Sequence, residues 1–454
     1  MPQPEPSRRM AGTFKIMSHL FCRVRFLIAP GASFFELVTF CRQTVLVLAA
    51  AFPFASIADS DVAIALESYA SQFTAIPVAV VSMTAVTETL SVNNPEEILS
   101  DDLEFTGRFM VTRSPAVDTL LFNEKGVAYC IKGRYKKTGD SLLIQFKLDD
   151  YTSGETILNE TYTLPIPDAR KAPHRFSNAI YKLFFNQRGP FESSITCIID
   201  NGAIKEIAVM DYDGANKFTP FTTGVINLFP IFTGPSELIW TSYLRGKPDL
   251  FTAPFPSKNP KALIASKMAE TSPAYSPVTG KLCYSSSVNG NMDIYVTNKD
   301  GTHKQQLTFD KYIETAPCFS PTGYYIAYVS DRSGRPNIYV MDVEGSNTRR
   351  LTFDGVHHDA PTWSPDGSLI AYTSLSDGKF DIWVIEADGL HPRKITTSAG
   401  NNEYPSWSPD GNYILFQSTQ NYKSDLYIVR IDGTGLTRIT KTGNAKMADW
   451  SHFE

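Results

Sequence analysis

His357-His358-Asp359 sets two imidazoles beside a carboxylate, with Glu314 44 residues before His358 and Glu403 44 residues after Asp359. Groups of these types hold metal ions or exchange protons as acid and base. A second series is more regular. Glu206, Asp249, Asp293, Asn337, Asp381 and Asp425 stand 43, 44, 44, 44 and 44 residues apart, and converging carboxylates would attract a cation. Both have plainer uses. Adjacent histidines on an extended segment point to opposite sides and seldom share one ion. An acidic side chain that recurs once per repeat suits a structural acceptor for backbone or hydroxyl donors. His174, His303, His391 and His452 are scattered, and the chain has no Gly-x-Ser-x-Gly elbow, phosphate-cradling Gly-rich loop or His-Glu-x-x-His segment.

The elements that carry these residues follow from a period. Pro230, Pro273, Pro317, Pro361 and Pro405 are separated by 43, 44, 44 and 44 residues. Around each, four short apolar runs alternate with turns, as in Pro361-Thr362-Trp363-Ser364-Pro365-Asp366-Gly367, Ile370-Ala371-Tyr372 and Asp381-Ile382-Trp383-Val384. Four strands per ~40–45 residues is the signature of a propeller blade. Pro365-Asp366-Gly367 and its counterparts close the hairpin between first and second strands. Asp213-Gly214, Asp300-Gly301, Glu344-Gly345, Asp388-Gly389 and Asp432-Gly433 close the one between third and fourth. Blade two carries Pro256-Ser257 instead, so its outer turn should differ. Six entries in the acidic series predict six blades. The first repeat lacks a Pro-x-Trp-Ser strand of its own, while the chain ends on Ala448-Asp449-Trp450-Ser451, so this last strand is expected to close the ring on blade one and remove two open sheet edges. Trp363, Trp407 and Trp450, all in the innermost strand, read as packing between blades rather than a sugar platform.

Thr44 to Ala55 is a short apolar core after Arg42 and before Ser56-Ile57-Ala58, which reads as a secretory signal peptide over 1–58 cut before Asp59; an uncleaved anchor is the alternative, and Met17 is a second candidate start. Cys22 and Cys41 sit in no lipobox, so no lipid anchor is expected. Beyond Asp59 no stretch approaches the ~18 apolar residues of a membrane helix, and no direct membrane insertion of the mature chain is expected. Residues 1–58 hold six Lys/Arg and two acids, so their loss takes the formal net charge from −5 to −9, which argues against a nucleic-acid partner. Cys130, Cys197, Cys283 and Cys318 match no metal spacing and fall in strand patterns; buried thiols are the plain reading, and a disulfide stays open.

From 59 to 188 the period is absent, and a small α/β domain is expected before the propeller of 189–454. Val62–Leu66, Ile76–Met83, Val127–Tyr135, Ser141–Tyr151 and Thr156–Tyr162 read as strands. Asn94-Pro95-Glu96-Glu97 starts a helix with Asn as N-cap, and Ala172–Asn186 forms another with Phe176, Ile180 and Phe184 on one face. Gly189-Pro190 is the expected hinge.

Signal peptide, α/β domain and six such repeats together resemble the TolB family, periplasmic components of the Tol-Pal system, over Asp59 to Glu454. Ile207-Ala208-Val209-Met210-Asp211-Tyr212-Asp213-Gly214 and Ile76-Pro77-Val78-Ala79-Val80-Val81 are further matches. The resemblance implies a periplasmic, non-enzymatic scaffold without cofactor, monomeric, that supports outer-membrane integrity and its constriction at division by bridging the lipoprotein Pal to TolA. It implies that Pal docks on the loops that precede each Pro strand, at Glu270, Thr271, Ser272, Glu314, Thr315, His358, Asp359, Asn402 and Glu403. It places TolA binding on Asp61, Val62, Ile64 and Leu66, a segment that also reads as an ordinary edge strand. Similar repeats occur in propeller peptidases, whose catalytic domain is missing here, and in polysaccharide lyases. A funnel-based lyase or hydrolase using His358 or a metal is therefore the alternative.

Overall fold

The computed structural model describes residues 75–86, 94–255 and 259–452. The segment read as a signal peptide, Asp61, Val62, Ile64, Leu66 and the expected Pro256-Ser257 turn lie outside the described residues.

The front domain is a mixed sheet with helices on both faces. Its elements are β1 (Ile76–Val81), β2 (Thr84–Ala85), α1 (Pro95–Thr106), β3 (Phe109–Ser114), α2 (Thr119–Glu124), β4 (Tyr129–Thr138), β5 (Ser141–Asp150), β6 (Thr156–Pro165) and α3 (Lys171–Phe185). The sheet order is β3-β1-β4-β5-β6, with β1 parallel to both neighbours and β4, β5 and β6 antiparallel. Leu99 and Leu103 of α1 and Phe176 and Ile180 of α3 pack with Val78, Ile144, Phe146 and Leu148 on one face, while Phe122 of α2 covers Ala79 and Cys130 on the other. The sequence reading missed β3 and α2. Each spans only 6 residues, too short for a period to show. Asn94 stands at the expected cap, but its amide donates to Glu97 Oε1 at 3.2 Å rather than accepting from the helix backbone.

Among the described residues the propeller has six sheets. Five are four-stranded, such as Glu270–Ser276, Lys281–Ser286, Asp293–Asn298 and Gln305–Gln306 in that order. The sixth pairs the chain's last strand, Ala445–Trp450, with Ser194–Asp200, which pairs with Lys205–Asp211; a bridge between Val209 and Phe218 stands where a fourth strand would be. The ring is thus closed as the sequence predicts, with Trp450 opposite Ile195. Trp450 is fully buried and its indole N–H donates to Ser193 Oγ at 2.6 Å. Apolar clusters form between blades rather than within them: Cys283, Ile294 and Val296 of blade three meet Phe319, Tyr328 and Tyr339 of blade four, and Trp363 of blade five meets Val329 and Val340 of blade four.

The acidic series is the recurring polar element of this core. Thr308, Thr352, Thr396 and Thr440 donate to Asp293, Asn337, Asp381 and Asp425 at 3.2, 3.3, 2.9 and 2.9 Å. Each threonine oxygen also accepts the next backbone N–H, from Ile294, Ile338, Ile382 and Leu426, at 2.9 to 3.0 Å. Gln306, Arg350 and Arg438 add a long polar side chain from the fourth strand, as does the Lys394 ammonium at Asp381. The structural reading of the series therefore stands. Blade two varies it, since Ile264 occupies the threonine slot and Lys247 and Arg245 reach Asp249. In blade one Glu206 accepts from Thr223 and Gly224 backbone N–H groups.

The hinge expected at Gly189-Pro190 is spanned by direct packing, because the front domain rests on the turns of blades one and six. Phe105 stacks on Tyr413 with centroids 4.5 Å apart. Arg430 donates to the Phe105 carbonyl at 2.8 Å, running so close to Gly107, the left-handed residue ending α1, that a Cβ there would collide with its guanidinium. Between them lies a buried polar cluster. Asp102 of α1 accepts from His174 Nδ1 of α3 at 2.9 Å and from the Tyr212 hydroxyl of blade one, while Arg170 pairs with Asp213 at 2.5 Å. Burial alone would depress the His174 imidazole, but the charge and hydrogen bond of Asp102 outweigh it and hold its pKa above the ordinary value.

Two outcomes follow. Trp450→Ala removes the seam's largest buried side chain and should cost ~3–5 kcal/mol in urea unfolding. Because the folded pKa of His174 is raised, its contribution is complete below the ordinary histidine range and lost as pH rises through the folded value. Thermal melts across that range should show His174→Asn converging on wild type at alkaline pH and falling below it in acid.

Candidate functional site

The six first strands converge on the axis, and each does so through the same strained step. Phe229, Ser272, Ala316, Ala360, Tyr404 and Met447 all have φ between 48° and 56°, and five of the six directly precede the repeat proline. Such φ values are uncommon outside glycine. Each marks a register shift in the pairing of first and second strands, as between Thr271 and Ala274, Thr315 and Cys318, or Asp359 and Thr362. The bulge turns the strand's opening residues outward as a lip. The six left-handed residues line a cavity of about 290 Å³ at the mouth of the channel.

The nine face residues expected from sequence divide into two sets. Glu270, Glu314 and Asn402 are fully buried and His358 is nearly so. Their side chains are fixed within the blades. Glu314 Oε1 accepts from Ser330 Oγ at 2.8 Å and Arg332 at 3.1 Å, Asn402 donates to Asp381 Oδ1 at 3.0 Å, and His358 Nε2 bonds the Asp354 carbonyl. Glu270 accepts from the Ser266 N–H at 3.4 Å with Lys247 3.6 Å away. This corrects the expectation that they are contact groups: Glu270, Glu314, His358 and Asn402 are sealed into the propeller, and the residues that follow them face the mouth. Thr271, Ser272, Thr315, Asp359 and Glu403 are those next residues and reach solvent.

Leu228 and Lys446 complete the lip and were missed, although the period assigns them to the positions of Thr271 and Glu403. Lys446 is bound to Asp200 at 2.9 Å. Asp449 was also missed. It fills the slot held by Thr362 and Ser406 in earlier repeats, lies in the channel wall, and accepts from Phe232 N–H at 2.9 Å and Ser406 Oγ at 3.4 Å. Burial pushes its carboxyl up to about 7. Its departure from the uncharged residues of that slot, Ile231, Ala274, Cys318, Thr362 and Ser406, was the available signal.

The two histidines part, as their adjacency implies. His358 turns inward, where burial lowers its pKa. His357 stays at the lip, 3.9 Å from Asp359, which raises its pKa. No group of three His, Cys, Asp or Glu placed to hold a metal ion occurs among the described residues. Glu314 and Glu403 are both shifted up by burial, Glu314 to about 7. Cys130, Cys197, Cys283 and Cys318 carry free thiols. No helix among the described residues is long and apolar enough to cross a membrane.

Residues 181–454 match the family model described as the TolB beta propeller domain. The Tol-Pal system protein TolB of Geobacter sulfurreducens is 34% identical over 148 residues, covering 30% of this chain and 34% of that protein. Its counterpart from Geobacter metallireducens is 36% identical over the same length and shares. The chain's matched part thus spans about a third of the length of these relatives. The crystal structure of TolB from Acinetobacter baumannii superposes with a TM-score of 0.74 at 22% identity, over 84% of this chain and 97% of that one, which extends the likeness in fold to the front domain. The propeller, its closing strand and the family match agree: the chain belongs to the TolB β-propeller family.

Proposed function

We propose that this chain is a non-enzymatic periplasmic scaffold of a Tol-Pal system, which docks the lipoprotein Pal on the channel mouth and is linked to TolA through Asp61, Val62, Ile64 and Leu66. In this role it maintains the outer membrane and its constriction at division. The naming of its relatives as Tol-Pal proteins supports the system. The observation that carries the docking face is the division of labour at the lip. One residue of each strand is sunk into the propeller, and its neighbours Thr271, Thr315, Asp359 and Glu403 are offered to solvent around a shallow cavity. A rigid ring with a polar lip suits protein contact by complementarity. The inward turn of His358 removes the group on which a funnel hydrolase or lyase would depend. Asp61, Val62, Ile64 and Leu66 belong to a sequence whose alternating pattern suits donation to another sheet's edge.

Purified mature protein should capture a Pal-type lipoprotein. Thr315→Arg with Glu403→Lys, two changes at solvent-reaching positions, should weaken capture about tenfold or more, ~1.4 kcal/mol. Undiminished affinity in that variant overturns the face. Glu314 acts by position and not by contact, so Glu314→Gln should dock normally. Its raised carboxyl pKa means that the folded chain holds a proton the unfolded chain has released, so stability is lost as pH climbs from the ordinary carboxyl range through about 7. The Gln variant should show a flatter melting-temperature profile across that window.

A further inference from the structure

Repetition separates what the fold requires at the mouth from what this face adds. The residue after each staple threonine is Phe309, Phe353, Thr397 and Lys441, in steps of 44. All four are exposed, Phe309 at 76% and Phe353 at 65%. Threonine and lysine serve the blade at the same position, so the repeat itself does not require a phenylalanine there. Ile313 and Val356 on the same two loops are exposed as well, and their repeat equivalents include His357, Asn401 and Gly400. The exposed apolar ground is thus concentrated on segments 307–314 and 351–358, which enter blades four and five, while the segment that enters blade three exposes Met268. Segment 395–402, which enters blade six, is polar apart from the buried Ile395 and the small Ala399. Solvent-exposed aromatic pairs of this kind mark contact surfaces.

Charge narrows the occupant. The bases beside this ground are turned onto their own chain: Lys311 lies 5.5 Å over the Tyr312 ring, Arg350 4.9 Å over Phe353, and Arg332 reaches Asp310 and Glu314 at 3.1 Å. Arg335 is exposed on the segment between the second and third strands of blade four. Toward the axis the lip carries Asp359 and Glu403, with His357 beside the first and Lys446 already engaged by Asp200. The side nearer the channel is therefore acidic and the outer side apolar.

Resting on the docking reading above, we propose that the partner meets this mouth off its axis. A protein segment lays apolar side chains across Phe309 and Phe353 and presents a lysine or arginine to Asp359 and Glu403. The test uses the mature chain and a purified, unlipidated Pal-type lipoprotein, read by calorimetry at two salt concentrations. Phe309→Ser with Phe353→Ser should weaken binding by a factor of thirty or more, on the scale of interface anchors. Asp359→Asn with Glu403→Gln should weaken it less and abolish its salt dependence. Tyr422→Ser, a fully exposed aromatic on the same face but in blade six, should change nothing. Loss of affinity from the lip pair with none from the phenylalanine pair overturns the off-axis contact and leaves the docking face standing. No capture by wild type sinks the docking reading itself. Self-association of wild type in sedimentation, cured by the phenylalanine pair, reassigns the ground to a second copy and overturns the proposal.

Discussion

A buried side-chain acceptor, met by a threonine hydroxyl and a long polar side chain from the outer strand, underlies this ring. Asp293, Asn337, Asp381 and Asp425 are sealed at the entry to the third strand, where an unpaired carboxylate or amide would cost several kcal/mol. The cost is offset only when the outer strand brings its threonine and long polar side chain into place. The arrangement therefore ties the third strand to the fourth, whose ladder is merely two residues long in blades three to six. A fourth strand this short has little pairing energy of its own. It also fixes the point at which the chain leaves for the next blade, and so the position of every lip residue. Blades one and two show that the side-chain acceptor is the constant part and its donors the variable one.

Much of this was legible in the residues. The 44-residue step gave the number of blades, the hairpin turns and the closing strand, because a repeated polar or proline position survives when apolar identity drifts. The acidic series was assigned correctly for the same reason: equivalence between blades argues for a shared structural duty. The front domain was less legible, as β3 and α2 are each too short to reveal a period.

The mouth was legible at the level of loops and not of side chains. Glu270, Glu314, His358 and Asn402 look like surface groups by type, and the register that sinks them depends on a bulge whose left-handed residue is Ser, Ala, Tyr, Phe or Met rather than glycine. A non-glycine residue before proline carries no mark of positive φ in its identity. Asp102, His174 and Tyr212 were likewise invisible as a group, since they come from α1, α3 and the end of Lys205–Asp211 and meet only when the two domains are docked.

The seam of the ring lies on blade one, which also carries part of the seat of the front domain. Residue 195 is zipped to residue 450, and Tyr212, one position past the strand beside that zipper, grips Asp102. Tension applied through the front domain would therefore travel into a sheet that is stitched from distant parts of the polypeptide. Mechanically, the anchorage and the clasp are in series, so both bear the same load and the weaker of the two parts first.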